Sequence, residues 1–314
     1  MNILWIFAHP DQRSLNGSLM REALCCLDAE GHEHVVSDLY AMKWKAVVDA
    51  DDFPEGADGS DRLFVGAEQE HAYKEGTLRA DIRAEQAKLA WADVVVFHFP
   101  LWWFGPPAIL KGWIDRVLTQ GLGFGVKDDA GRTRRYGDGG LAGKRAWIVT
   151  SVGARASGFG PRGLHGHIDD VLFPLLHGTF WYTGMAPLAP FVTYGADRTT
   201  PEEYARTAAA LKERIRALPD ARPVPFRHER SGDYDRELVL RPGLAPGRTG
   251  LTVHLTGPQD HARSVARQHD RPAPPGPATG VEDGGVRAAA GPHKGAAEAR
   301  GSRWNRNPPS SAGA

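Results

Sequence analysis

Asn2–His9 is an unbroken apolar run that ends in a polar loop, the pattern of a strand covered on both faces. Ser14 can cap a following helix in which Leu15, Leu19, Ala23, Cys26 and Leu27 share one side, and Gly31 stops it. His34–Leu39 reads as a second, weaker strand. Leu78–Trp91 sets Ile82, Gln86 and Leu89 on one line of a helix, and Asp93–Phe99 is the clearest buried strand. Pro106 and Pro107 open a helix running to Leu118. Arg145–Val152 is a fourth strand, Leu164–Gly178 a partly helical stretch broken at Pro174, and Phe191–Tyr194 a short fifth strand. Thr200-Pro201-Glu202-Glu203 forms a capping box, and the helix it opens aligns Tyr204, Ala208, Leu211, Ile215 and Leu218.

Alternating strands and helices predict an α/β fold, a doubly wound five-stranded parallel sheet with right-handed crossovers. Five strands fit the order 2-1-3-4-5, in which the ligand crevice lies outside the carboxyl ends of strands 1 and 3. The loops at His9–Asn16, Pro100–Pro106 and Ser151–His165 then face one site.

The pattern fades along the chain. Residues 1–218 carry the alternating elements. Residues 219–256 hold fewer large apolar groups, among them Phe226, Tyr234 and Leu251-Thr252-Val253-His254-Leu255, and read as an extended arm docked on the domain. From 257 to 314 the only large apolar residues are Val265, Val281, Val286 and Trp304, so this low-complexity C-terminal extension reads as disordered. The 314 residues carry 38 basic and 38 acidic side chains, a balance that argues against a nucleic-acid binder or a polybasic membrane-surface protein. No apolar run reaches the ~18 residues of a transmembrane helix. The start lacks a basic n-region, and the adjacent Cys25 and Cys26 make neither a disulfide framework nor a metal site, so the chain reads as cytoplasmic.

Each of the three loops offers its own chemistry. His9–Asn16 leads into a helix N-terminus, where free amides and the dipole favour an anion, with Ser14 and Asn16 as neutral donors and His9 or Arg13 as charge. It lacks the G-x-G-x-x-G fingerprint, and a plain capped helix is the alternative. Pro100-Leu101-Trp102-Trp103-Phe104-Gly105 sets three large aromatics at a strand's carboxyl end, suited to stacking on a planar ligand. An aromatic plug or a dimer contact would use them differently. Ser151–Gly160, with Gly153 and Ala154, is small enough for a flat ring to approach the backbone, and His165 follows it. His165-Gly166-His167 with Asp169 and Asp170 has no matching ligand cluster, so no metal is expected. Gly137–Lys144 imitates a phosphate loop but precedes a strand, and Arg145 stands where Ser or Thr is required.

At these residues the sequence resembles the NAD(P)H:quinone oxidoreductase family, the DT-diaphorase-like proteins of flavodoxin-like fold. The matching stretches are His9 with Ser14-Leu15-Asn16, Ser37–Met42, Ala72–Gly76, Phe99–Gly105, Pro107–Trp113 and Gly163–Gly166, in order across residues 1 to about 218. The resemblance implies a homodimer holding FAD, in preference to FMN, and a ping-pong cycle in which NAD(P)H gives hydride to flavin N5 and a quinone then takes it from the same place. Carried over residue by residue, His9, Ser14, Leu15 and Asn16 hold the diphosphate and ribityl region. Pro100, Leu101, Trp102, Trp103 and Phe104 line the isoalloxazine, and Ser151, Gly153 and Ala154 meet its pyrimidine edge. His165 stabilises charge on the reduced flavin. Tyr182 matches an aromatic substrate wall supplied by the partner subunit.

The departures are specific. The family's catalytic tyrosine is Phe159 here, so His165 acts alone or with water. Two substrate-site tyrosines align with Phe124 and Val126, one loop glycine is Ala154, and the insert Lys127–Gly143 is longer and more charged. These changes imply a more apolar pocket for a quinone-like acceptor. Two other readings stay open on the same fold: an ancillary regulatory subunit of a potassium efflux system, and an FMN-dependent azo- or nitroreductase.

Overall fold

The computed structural model describes residues 1–53 and 62–256, all within one compact unit. The expectation of disorder for 257–314 therefore lies outside the described residues. Strands β1 (Asn2–Phe7), β2 (Glu33–Asp38), β3 (Val94–Pro100) and β4 (Arg145–Val152) pair in parallel in the order β2-β1-β3-β4. The fifth place is filled by two pieces, β5 (Ala186–Pro187) and β6 (Phe191–Tyr194), each parallel to β4. The order is thus 2-1-3-4-5, with a break in the last strand that the sequence reading did not contain. Trp147 Nε1 (3.1 Å) and Arg214 Nη2 (2.8 Å) both donate to the Ala189 carbonyl in that break.

Helices α1 (Leu15–Ala29) and α6 (Pro201–Arg216) cover one face, where Ile3, Trp5, Phe7, Val94, Val96 and Trp147 are buried. Helices α3 (Ala80–Trp91), α4 (Ala108–Val117) and α5 (Ile168–Leu175) cover the other, over Leu4, Ile6, Val95, Phe97 and Phe99. Each central strand feeds both layers, which is why it reads as a continuous apolar run and not an alternating one. The remaining helix, α2 (Val65–Glu75), escaped the sequence reading because only Gln69 and Ala72 of its eleven residues are buried. It has almost no apolar stripe to detect.

The stretch 164–178 also differs from expectation. Residues 164–167 form a turn, and the helix starts only at Ile168, with the His167 ring accepting a hydrogen bond from the Asp169 N–H (3.3 Å). Pro174 does not break the chain's path. It sits inside α5, which continues as a wider π-type turn, Leu176–Trp181. A proline deprives the helix of one N–H, and widening the next turn lets the backbone re-pair.

In the segment 219–256, Phe226 and Leu255 are buried in the α3–α5 layer. Val224 N–H reaches the Pro187 carbonyl (2.7 Å), and the Trp181 indole donates to Arg227 (3.0 Å).

Candidate functional site

The first loop is held by its own side chains. His9 Nδ1 lies 3.0 Å from both the Asp11 N–H and the Asp11 carbonyl, which pins the ring to its own loop. Arg13 is neutralised by Asp11 (2.9 Å), and its hydrogen bonds pull that carboxyl down to about 2. Arg13 itself is exposed, so the pair lies at the surface. Ser14 caps α1 by accepting from the Gly17 N–H (3.1 Å), and its carbonyl takes the Ser18 N–H (2.9 Å). The amides of Leu15 and Asn16, with no carbonyl one turn below, stay open to an anion. The loop crosses tightly over α1: a Cβ on Gly17 would fall 2.1 Å from the Gln12 carbonyl.

Asn16 ties this loop to the others. Its Nδ2 donates to Ser151 Oγ (2.9 Å), while the Ser151 carbonyl accepts from the Leu101 N–H (2.8 Å). The ends of β1, β3 and β4 are thus joined through three buried residues. Among the described residues Asn16 Oδ1 has no hydrogen-bond partner, although it is buried. An unmet buried acceptor costs about 1–3 kcal/mol, so its retention points to a ligand donor.

Beyond Leu101 the chain makes a tight turn. Trp102 and Gly105 exchange backbone hydrogen bonds (3.0 and 2.9 Å), and the two residues between them are left-handed, Trp103 at φ 49° and Phe104 at φ 62°. That is a primed turn, normally filled by Asn or Gly. Bulky residues there cost about 1–2 kcal/mol each. The strain holds large rings outward: Trp103 is 99% exposed and Phe104 51%. Trp102 lies near His9, ring centroids 6.4 Å apart.

The third loop closes the rim. Gly153 lies under Asp197, where a Cβ would come within 2.1 Å of Oδ2, and its carbonyl accepts from Arg198 (2.9 Å). The Ala154 carbonyl accepts from the Gly195 N–H (3.0 Å). Phe159 is buried and stacks obliquely on His165 (4.8 Å), and Phe104 approaches the same imidazole from the second loop (5.8 Å).

The structure therefore brings together His9, Ser14, Leu15, Asn16, Pro100, Leu101, Trp102, Trp103, Phe104, Ser151, Gly153, Ala154, Phe159 and His165 at the carboxyl ends of β1, β3 and β4. Phe124, Val126 and Tyr182 stand elsewhere. Phe124 and Val126 follow α4 beside Gln120 and Gly140, and Tyr182 packs edge-on against Tyr136 (5.1 Å). Among the described residues no hydrogen bond or ring contact within the chain links these three to the rim.

Three residues near the rim escaped the sequence reading. His98 is fully buried in β3, where Trp5 Nε1 donates to its Nδ1 (3.3 Å) and burial pushes it down to about 3, so it stays neutral. Its signal was a lone histidine in an apolar run. Tyr194, 5.8 Å from Phe159, has its hydroxyl pushed up to about 12 by burial, with the Asp169 charge adding to it. Asp197 is distant in sequence from the loop that it touches. Among the described residues no group of three His, Cys, Asp or Glu side chains could hold a metal, and no helix is long and apolar enough to cross a membrane.

Residues 1–218 match a family described as having a flavodoxin-like fold. The chain is 46% identical over 236 residues to the ribosyldihydronicotinamide dehydrogenase-like protein traD of Penicillium crustosum, covering 74% of this chain and 87% of that one. It is 36% identical over 223 residues to the ribosyldihydronicotinamide dehydrogenase [quinone] of Pongo abelii, covering 71% and 94%. A Klebsiella pneumoniae crystal structure assigned as a quinone reductase superposes with a TM-score of 0.78 at 48% identity, over 81% of this chain and 99% of that one.

Proposed function

The chain belongs to the NAD(P)H:quinone oxidoreductase family of flavodoxin-like proteins, and from that premise we propose that it reduces quinone-like acceptors with NAD(P)H on a bound flavin, which we read as FAD. The carrying observation is the joined rim: Asn16, Ser151 and Leu101 lock three loops together below an outward-facing aromatic turn. Its donors suit such a cofactor. The Leu15 and Asn16 amides with Ser14 and His9 would hold the diphosphate and ribityl region, and Asn16 Oδ1 would take a hydroxyl donor. Pro100, Leu101, Trp102, Trp103 and Phe104 would wall the ring system, with Ser151, Gly153 and Ala154 along its polar edge.

When bound, the flavin would supply two-electron transfer between nicotinamide and quinone. The protein's part is to orient, exclude water and manage charge. Trp103 and Phe104 present flat apolar surface against which either substrate can stack. His165, with Phe104 and Phe159 beside it, would hold a proton or steady negative charge on the reduced cofactor. Phe159 has no hydroxyl, so no tyrosine-to-histidine proton relay operates at that position. Phe124, Val126 and Tyr182 would complete the substrate wall from a second copy in a homodimer.

The test is direct. The purified protein is yellow, heat releases FAD, and NADH or NADPH oxidation depends on added quinone. A colourless protein that takes up neither FAD nor FMN refutes the proposal. Released FMN with azo or nitro activity would replace its finer part. His165→Ala lowers turnover while flavin stays bound; lost flavin with unchanged turnover per bound flavin contradicts the role given to His165.

A further inference from the structure

His165 occupies an unusual place for a residue expected to handle charge. Among the described residues neither of its ring nitrogens is hydrogen-bonded, so no acceptor or donor sets the plane of the imidazole. Only packing does. Phe159 and Phe104 pack against the ring at 4.8 and 5.8 Å and lie 6.2 Å from each other, a three-ring cluster. Gly158 meets the same residue, its carbonyl accepting from the His165 N–H (2.9 Å). A Cβ built on Gly158 would lie 2.7 Å from His165 Cδ2, 3.3 Å from Nε2 and 3.8 Å from Cγ, and these are the three nearest atoms. Gly158 is not left-handed, so its backbone would accept alanine. What excludes a side chain there is the histidine ring. Gly163 fixes the back of the notch, since a Cβ on it would come within 2.2 Å of the Gly158 carbonyl.

We propose that Gly158 is a positioning residue: the notch left by its missing side chain seats the His165 imidazole against Phe159 and Phe104. The proposal deepens the functional reading above and rests on it for its catalytic consequence, though not for its geometry.

The experiment compares Gly158→Ala, His165→Ala and the double variant in the full chain. Gly160→Ala is the control, because its new methyl meets only the Ser157 carbonyl at 3.7 Å. Imidazole NMR of the purified proteins reads ring position. Gly158→Ala shifts the His165 ring resonances and leaves those of His32 unmoved, whereas Gly160→Ala shifts neither. In the quinone assay Gly158→Ala lowers kcat roughly 10- to 100-fold, as expected for a group misplaced by about 1 Å, with KM and flavin content nearly unchanged. On the His165→Ala background it adds no further loss. Unmoved His165 resonances, or an equal loss on both backgrounds, overturns the proposal. If Gly158→Ala does not fold, the double variant decides: removing the ring restores folding if the clash is with His165, and failure to restore it overturns the idea. A protein without flavin would defeat the functional reading, while the NMR comparison would still judge Gly158.

Discussion

Replacing Arg116 by Met should loosen the layer beneath the aromatic turn. The side chain is buried on α4, eleven residues beyond Gly105. Its Nε and Nη2 donate to the two Asp52 oxygens (3.0 and 2.8 Å), and Nη1 donates to Asp81 (2.9 Å) and to the Lys45 carbonyl (3.0 Å). The Trp44 ring lies 4.6 Å from the guanidinium carbon. Asp52 is 1% exposed, so methionine would leave a buried carboxylate with Lys45 (3.1 Å) as its remaining cation. Breaking a buried pair from one side costs about 3–5 kcal/mol, and the surviving lysine places this case near the lower figure. With stabilities of about 5–15 kcal/mol, that is a large fraction of the whole. For a chain of this size it lowers Tm by roughly 6–12 °C. Urea unfolding followed by tryptophan fluorescence reads the change. Adding Asp52→Asn removes the stranded charge and should recover part of the loss. A loss under about 1 kcal/mol, or a double variant no more stable than Arg116→Met, would refute the reasoning. The same cluster sets an acid limit. Burial raises the Asp52 carboxyl, but hydrogen bonds and charge from Arg116 and Lys45 hold it below the ordinary value. Its contribution is therefore complete above about pH 4 and fades as pH falls below that.

Trp103→Gly releases a left-handed strain without uncovering any core, so it should stabilise the fold by about 1 kcal/mol while weakening flavin binding; melting and flavin titration on one sample check both signs. Gly153→Ala drives a methyl into the Asp197 carboxylate and should reduce flavin affinity, with Asp197→Ala in the same chain restoring it in a fluorescence titration. His98 stays neutral when folded but takes a proton near pH 6.5 when unfolded, so its contribution is complete above pH 6.5 and declines towards pH 3. The loss is about 1.4 kcal/mol per pH unit, or about 2 kcal/mol between pH 6.5 and 5. His98→Gln should flatten that part of the urea-measured stability curve, and an unchanged slope would count against it.

Strand order was legible because β1, β3 and β4 are apolar on both faces, which only a sheet sandwiched between helices requires. The same runs hid His98, since one polar residue does not alter a pattern. Helix α6 was legible from its capping box and stripe, whereas α2 buries too little to leave a stripe. The partly helical stretch at 164–178 is there, but residues 164–167 turn instead of coiling, and Pro174 is absorbed by a wider helical turn instead of breaking the helix. At the site, the order of β1, β3 and β4 already directed three loops to one rim, and the aromatic run marked the second of them. No spacing could announce that Asn16 reaches Ser151 or that Asp197 sits over Gly153.

Local chemistry reaches only as far as the next turn of helix or the next residue on a strand. Periodicity and capping residues therefore settled most of the segments that coil or extend and which of their faces turn inward. Contacts between residues a hundred or more positions apart arise only when the sheet closes its neighbours together. The Asn16–Ser151 tie and the burial that keeps His98 neutral are decided there, because both depend on which atoms have displaced water from a given side chain.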